Sequence, residues 1–290
     1  MTDAVSDSAL ATDVGLALAE PAPAPDRPRS RLDGGRFNLL VVVALIVIWY
    51  AAAWLAHVSG DSSLAAKLPY PHQVLEKALA TGPTLIDATW STTSRAVVGF
   101  FVGLILGTAF GVVMIQSRWI EWGVVPYVLA SQMVPLIALV PILRAVLKDP
   151  DLVRLYVAGY VSFFIVSMAV LRGLKNPSHA ALELMGSLNA SRWATLRYLR
   201  FPAALPYIFS GLRVAAPLSL IGAILVDFLG ARNGLGYLLV ASLSIGASQS
   251  TLLWATLVIA LVVGLLFTRA VAFVERRVSF WQPAYRSVSR

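Results

Sequence analysis

The 290-residue chain contains no cysteine, which excludes a disulfide scaffold, a thiolate metal site and a cysteine nucleophile. Charge is scarce as well. Only 13% of residues are Asp, Glu, Lys or Arg, whereas soluble domains carry about a quarter. A water-facing globule of this size could not be covered by so little charge, and disordered chains or nucleic-acid arms have the opposite composition. The three histidines, His57, His72 and His179, are scattered and make no metal set. What fills the chain is apolar: 58% hydrophobic residues and a mean hydropathy of +0.75. Length alone suggests two soluble domains, but the apolar runs argue for one integral membrane domain.

A bilayer-crossing helix needs about 20 mostly apolar residues. Stretches free of Asp, Glu, Lys and Arg cover residues 37–60, 96–117, 122–143 and 155–171. A fifth candidate, uncharged only over 214–226, lies between Arg213 and Arg232, roughly 28 Å apart along a helix rising 1.5 Å per residue. Both arginines can therefore snorkel to opposite surfaces, leaving Asp227 inside the outer boundary. The last run, 233–268, is too long for one span. Its first half holds Gly234, Gly236, Ser242, Ser244, Gly246 and Ser248 and reads as a re-entrant or interfacial piece beside protein or water. The expected fold class is therefore all-α, a polytopic membrane protein with six transmembrane helices at about 37–58, 96–116, 122–143, 153–171, 207–229 and 252–272.

With both termini cytoplasmic, this arrangement puts most of the 23 lysines and arginines on the inner side. A seventh span over 234–248 would instead carry Arg276, Arg277, Arg286 and Arg290 outside. The net charge of +8 then reflects contact with anionic lipid, with no pattern pointing to nucleic acid. Residues 1–36 lack the basic start and apolar core of a cleaved signal and read as a disordered cytoplasmic tail. Residues 37–274 form the membrane domain, and 275–290 a second cytoplasmic tail.

Two connections are long. The outer one, 61–95, holds Leu68-Pro69-Tyr70-Pro71 and an amphipathic stretch, 74–90, whose Val74, Leu75, Leu79 and Leu85 suit a membrane surface. It is either a lid between spans or a substrate-facing element. The inner one, 172–206, reads as helix, turn, helix. A helix over 179–188 ends at Asn189, a residue tolerant of left-handed backbone. Ser191 caps a second helix over 192–201, which Pro202 and Pro206 bring to a stop. Lipid does not require such a hairpin, so it reads as a docking element for another protein.

This inner loop resembles the EAA loop in permease subunits of bacterial ATP-binding-cassette importers. Glu183 stands at the motif's Glu, Leu184 and Met185 replace its two alanines, Asn189 replaces its Gly, Leu199 takes the Ile place, and Phe201-Pro202 the Leu-Pro. The chain from Asn38 to Trp281 is similar to the nitrate/sulfonate/taurine branch of these permeases. Leu68-Pro-Tyr-Pro, Ser94-Arg95, Gly99-Phe100, Gly107, Gly111, Pro135, Pro141, Ser191-Arg192-Trp193, Gly211-Leu-Arg213 and Gly234-Leu-Gly236-Tyr237 occur in order and at compatible spacing.

The resemblance implies the type I ABC-importer permease fold in a bacterial inner membrane. Two copies, most simply a homodimer, would enclose a path, each inserting its loop into one of two ATPase subunits. An extracytoplasmic binding protein would deliver the solute. The implied cargo is a small anion such as a sulfonate, taurine or nitrate, with aromatic carboxylates and vitamin precursors as alternatives. The chain has no Gly-x-x-x-x-Gly-Lys-Ser/Thr phosphate loop. It is therefore expected to be a non-catalytic transport subunit without a cofactor, ATP and Mg being bound by the partner ATPase.

Glu183 is expected to pair with a basic group on the ATPase or to be a solvated helix charge. Ser131, Gln132 and Pro135 in the third span either line the path or serve as interhelical contacts and a kink. Asp227 is the carboxylate that the span arithmetic puts in lipid, where a charge costs about 2.5–3.5 kcal/mol even on insertion scales. It belongs to the path, to a dimer interface, or to a pair with Arg232. Gly99, Gly103, Gly107 and Gly111, spaced by four, mark close helix packing. Rival classes fit less well. The filter sequence of channels, the internal repeat of carriers and the His-Glu-x-x-His or Gly-x-Ser-x-Gly of enzymes are missing.

Overall fold

In lipid each backbone N–H and C=O must find its partner within the same segment, so long apolar runs can only become helices. The computed structural model describes residues 34–279, and no strand occurs among the described residues. In chain order the helices are α1 (Gly34–Val58), α2 (Ser62–Lys67), α3 (Pro71–Ala80), α4 (Gly82–Gln116), α5 (Arg118–Ser131), α6 (Leu136–Leu147), α7 (Pro150–Lys175), α8 (His179–Ser187) and α9 (Arg192–Thr195). A π-helical turn, Leu196–Arg200, leads into α10 (Phe201–Phe228), followed by α11 (Leu235–Ile245), a 3-10 turn (Ala247–Gln249) and α12 (Ser250–Val278). The chain divides into two compact units, Met1–Trp49 and Tyr50–Arg290. Of the first, the described part is α1 as far as Trp49. Apart from the stretch Leu39–Val58, everything discussed below lies in the second. The expected tail 1–36 falls outside the described residues except for 34–36, and that at 275–290 except for 275–279, where α12 continues to Val278.

Five helical stretches are long and apolar enough to cross a membrane: Leu39–Val58, Gly82–Gln116, Pro150–Lys175, Arg192–Phe228 and Ala247–Val278. The pair α5 and α6, bent by 93° at the intervening break, is apolar enough to cross when taken together. Six spans are thus present if the bent pair counts as one. The expected kink near Pro135 is in fact an interruption. Pro135 stands at the N-cap of α6 with ψ of 118°, outside helical geometry, and its ring nitrogen has no hydrogen to continue the ladder from α5.

Three expectations about boundaries are corrected. The helix that holds the second expected span begins at Gly82, well before 96, and Arg95, bonded to Asp151 at 2.8 Å, lies inside it. The amphipathic stretch 74–90 is split at Thr81, and its Val74 and Leu85 are buried while Leu75 and Leu79 are exposed. Pro202 and Pro206 do not stop the helix after Arg192. Pro202 occupies the first turn of α10, where no donor is needed, and the π turn before it absorbs the change in ladder. Between Gly234 and Gly246, α11 is an eleven-residue apolar helix, about 16 Å long and too short to span.

The core of the second unit is α7, held between α4 and α10. A Cβ added to Gly99, Gly103 or Gly107 would sit 2.5, 2.6 or 2.8 Å from the carbonyl oxygens of Leu155, Gly159 and Phe163 respectively. One on Gly111 would meet Val170 Cγ1 at 2.6 Å. Each four-residue step on α4 meets a similar step on α7, so the two helices run parallel with their backbones in contact. On α10 the order reverses: Gly173 meets Ala204, Gly211 meets Ala169 and Gly222 meets Val157, which makes α7 and α10 antiparallel. Phe100, Val166, Val170, Leu174, Ile208 and Leu212 fill the space between them. Arg213 of α10 pairs with Glu275 at the far end of α12.

Candidate functional site

Three places in the second unit carry polar chemistry: the loop after α7, a cleft beside the α5–α6 break, and a buried cluster at the opposite end of α7.

The loop is capped at every turn. Ser178 accepts a hydrogen bond from Ala181 N at 3.3 Å to start α8. At its end Asn189 has φ of 51°, with Asn189 N donating to Gly186 O at 2.9 Å and Ala190 N to Met185 O at 3.0 Å. That pair of bonds is a Schellman termination, with asparagine where glycine is usual. Ser191 then accepts from Ala194 N at 3.1 Å and starts α9. No residue of α8 or α9 is buried. Leu184 is 59% exposed and Trp193 67%, with Glu183, Leu188 and Tyr198 also bare. The root, in contrast, is pinned. Arg200 Nη1 donates to Leu174 O at 3.0 Å, and Tyr207 Oη donates to Asn176 Oδ1 at 2.8 Å. Of the motif residues, Glu183, Leu184, Met185 and Asn189 lie on the tip, while Leu199 and Pro202 are half-buried at the root. A bare apolar tip on a pinned root is a docking geometry.

A cleft of about 330 Å³ opens between the end of α5, the C-terminal half of α7 and the start of α10. Gln132, Arg172, Tyr207 and Ser210 supply its polar lining, and Leu129, Phe164, Met168 and Val214 are among its apolar walls. Ser131, next to Gln132, does not reach it with its side chain. Its hydroxyl donates to Val128 O at 2.7 Å, and its carbonyl accepts from Tyr160 Oη at 2.6 Å, which ties the break to α7. Pro135 caps α6 beyond the cleft. Of the expected path residues, then, Gln132 is the one whose place is on this opening.

Asp227 is elsewhere. It is 1% exposed and paired with the equally buried Arg154 Nε. Thr92 Oγ1 donates to Asp227 Oδ2 at 2.6 Å and accepts from Leu235 N at 2.9 Å. Arg154 Nη2 donates to the backbone and side-chain oxygens of Asn233, both at 2.7 Å, and Nη1 reaches Asp151. Gly234, at φ of 104°, passes so close to the Asp227 carboxylate that a Cβ there would overlap it. Nearby, Arg144 donates to Leu229 O at 2.8 Å and Gly230 O at 2.6 Å. The expected partner of Asp227, Arg232, is replaced by Arg154, which the charge-free scan treated only as the edge of a span. Arg154 lies one turn inside the start of α7 and Asp227 is the next-to-last residue of α10, and because the two helices run antiparallel these ends meet.

Outside the spans, Asp61 caps α2. The Ser63 hydroxyl, with backbone N–H groups of Ser63 and Leu64, holds its carboxyl below the usual carboxylate range.

A pinned, capped loop on a bundle of membrane-length helices defines the class as a polytopic membrane protein with an exposed helical hairpin. Residues 99–280 match the family of binding-protein-dependent transport system inner membrane components. A probable ABC transporter permease protein of Haemophilus influenzae is 30% identical over 209 residues, covering 70% of this chain and 80% of its own. The formylaminopyrimidine transport permease protein of Halalkalibacterium halodurans is 30% identical over 199 residues, 68% of this chain and 77% of its own. The taurine transport system permease protein of Escherichia coli is 25% identical over 247 residues, 83% and 87% of the two chains. The fold matches that of the MetNI methionine ABC transporter in inward-facing conformations, with a TM-score of 0.58 at 18% identity over 69% of this chain and 98% of that one.

The chain therefore belongs to the binding-protein-dependent transport family as an ABC-importer permease subunit, a multi-pass inner membrane protein. Its relatives include permeases named for nitrate and for aliphatic sulfonates, the branch that the sequence motifs resemble.

Proposed function

We propose that two copies of this chain enclose the path for a small solute, that a binding protein delivers the solute from outside, and that a separate ATPase, holding ATP and Mg, drives its entry from the cytoplasmic side. The observation that carries this reading is the loop 176–191, bare at its tip and pinned at its root. Leu184, Leu188 and Trp193 offer apolar surface to a partner groove. Arg200 and Tyr207 tie any displacement of the tip to α7 and α10. A small organic or inorganic anion is the preferred cargo, the named relatives for sulfonate, taurine and nitrate supporting it. Those for formylaminopyrimidine and riboflavin support the alternative of a vitamin precursor.

The test is co-purification with an ATP-binding-cassette ATPase of the same organism, co-expressed with this chain. Leu184→Asp and Trp193→Asp together are expected to lower the recovered ATPase at least tenfold while the chain still inserts and folds. Undiminished recovery would overturn the docking assignment. Asn189 gives a finer check. Asn189→Gly keeps the left-handed turn, whereas Asn189→Val is expected to cost about 1–2 kcal/mol there. Thermal unfolding and ATPase recovery should therefore both separate the two variants.

A further inference from the structure

The polar cleft holds a feature that docking does not use. At the inner end of α7 and the start of α10 the cations have different surroundings. Lys175 is paired with Glu121, and Arg200 is bonded to Leu174 O. Arg172 faces the cleft with no acidic residue among the lining side chains, and none of the ion pairs in the described residues involves it. Gln132 from the end of α5 and Ser210 from α10 bring an amide and a hydroxyl to the same opening, and Tyr207 forms part of its floor. The groove between α3, α4 and α12, lined by Leu79, Ile86, Trp90 and Val263, is in contrast walled almost entirely by carbon.

A positive-inside arginine needs only lipid and water around it. One that shares a cleft of small-ligand size with further hydrogen-bonding side chains from two other helices is placed as a recognition group. A guanidinium presents parallel N–H donors that match two oxygens of a carboxylate, sulfonate or nitrate. The apolar wall formed by Leu129, Phe164, Met168 and Val214 leaves room for a short organic tail beside that head.

We propose that Arg172, with Gln132 and Ser210, forms an oxyanion-recognition site in the path, and that it selects a small anion over a neutral solute. This rests on reading the chain as half of a transport path and names the substrate class for it. The site lies one turn before Asn176, which receives the Tyr207 hydroxyl at the loop root, so an anion there touches the element that carries the docking loop.

The cysteine-free chain allows a direct test. Ser210→Cys, in membrane vesicles containing the full chain and its ATPase, is labelled with two methanethiosulfonate reagents, one bearing a sulfonate and one a trimethylammonium group. The sulfonate-to-ammonium rate ratio is then compared with and without Arg172→Gln, so intrinsic reagent reactivity cancels. The ratio is expected to fall about tenfold with Arg172→Gln, as fits unit charges several Å apart near a protein surface, and to be largely kept by Arg172→Lys. Millimolar ethanesulfonate should slow the labelling of Ser210→Cys, and riboflavin should not.

An unchanged ratio, or protection by riboflavin alone, would overturn the proposal. ATPase recovery from the same vesicles separates the two readings. If the ATPase is recovered and the ratio does not move, the anion site falls and the permease reading stands. If the ratio moves but no ATPase is recovered, the site stands and the docking reading falls.

Discussion

Arg154→Ala is expected to lower stability by about 3–5 kcal/mol, the range seen when one member of a buried ion pair is removed. The reason lies in what remains. Asp227 would keep its hydrogen bond from Thr92 but lose its cationic partner in a site that is 1% exposed. Asn233 would lose two contacts at 2.7 Å. Thr92, Arg154, Asp227 and Asn233 come from α4, α7, α10 and the segment leading to α11, so one deletion loosens four elements at once. Attraction within the pair is not itself the source of stability, because both charges were first taken out of water. The measurement is therefore a cycle. Arg154→Ala and Asp227→Ala should each lower the thermal unfolding midpoint of the purified chain sharply, while Arg154→Met with Asp227→Leu should recover much of the loss. If Arg154→Ala unfolds at the native temperature, the cluster is not a structural strut.

The legible part of this fold is the part decided by local chemistry. Charge-free runs gave the membrane helices because lipid leaves an apolar segment no other regular structure. Asn189 and Ser191 announced the loop's turn because capping depends on residues three or four apart. What local chemistry could not convey was the partner across the fold. Arg95 reads as a span boundary until Asp151, from a helix 56 residues away, is seen beside it. Arg154 reads the same way until Asp227 is placed opposite. Pro202 signals a stop in a helix interior but is harmless in a first turn, and which case applies depends on the π turn before it. The candidate site divides along the same line. The helix–turn–helix loop is continuous in sequence, so its form was readable. The cleft joins Gln132, Arg172 and Ser210 from three helices, and of these only Gln132 stood out beforehand.

The glycine stripe of α4 gives the second large effect, and its sign can be set against a control in the same chain. Replacing a solvent- or lipid-facing helical glycine by alanine gains about 1 kcal/mol of helix propensity. Gly123 in α5 has nothing within 4 Å of an added Cβ, so Gly123→Ala should stabilise by about that amount. At Gly103 the same carbon would lie 2.6 Å from both Gly159 O and Ser162 Cβ, and 2.9 Å from Phe163 N. Two of these three atoms are backbone and cannot swing away, so α4 and α7 must separate. Overpacking typically costs about 1–3 kcal/mol, and more where neither side can move. Gly103→Ala should thus be destabilising on balance, and Gly103→Val severely so. Within a bilayer no hydrophobic drive rejoins the helices, since lipid chains satisfy their surfaces equally well. Because α7 leads directly into the docking loop, Gly103→Val is also expected to reduce ATPase recovery without touching the loop itself. Unfolding midpoints for Gly103→Ala and Gly123→Ala should shift in opposite directions. A shift of the same sign in both would mean that the contact between α4 and α7 is looser than the backbone separation implies.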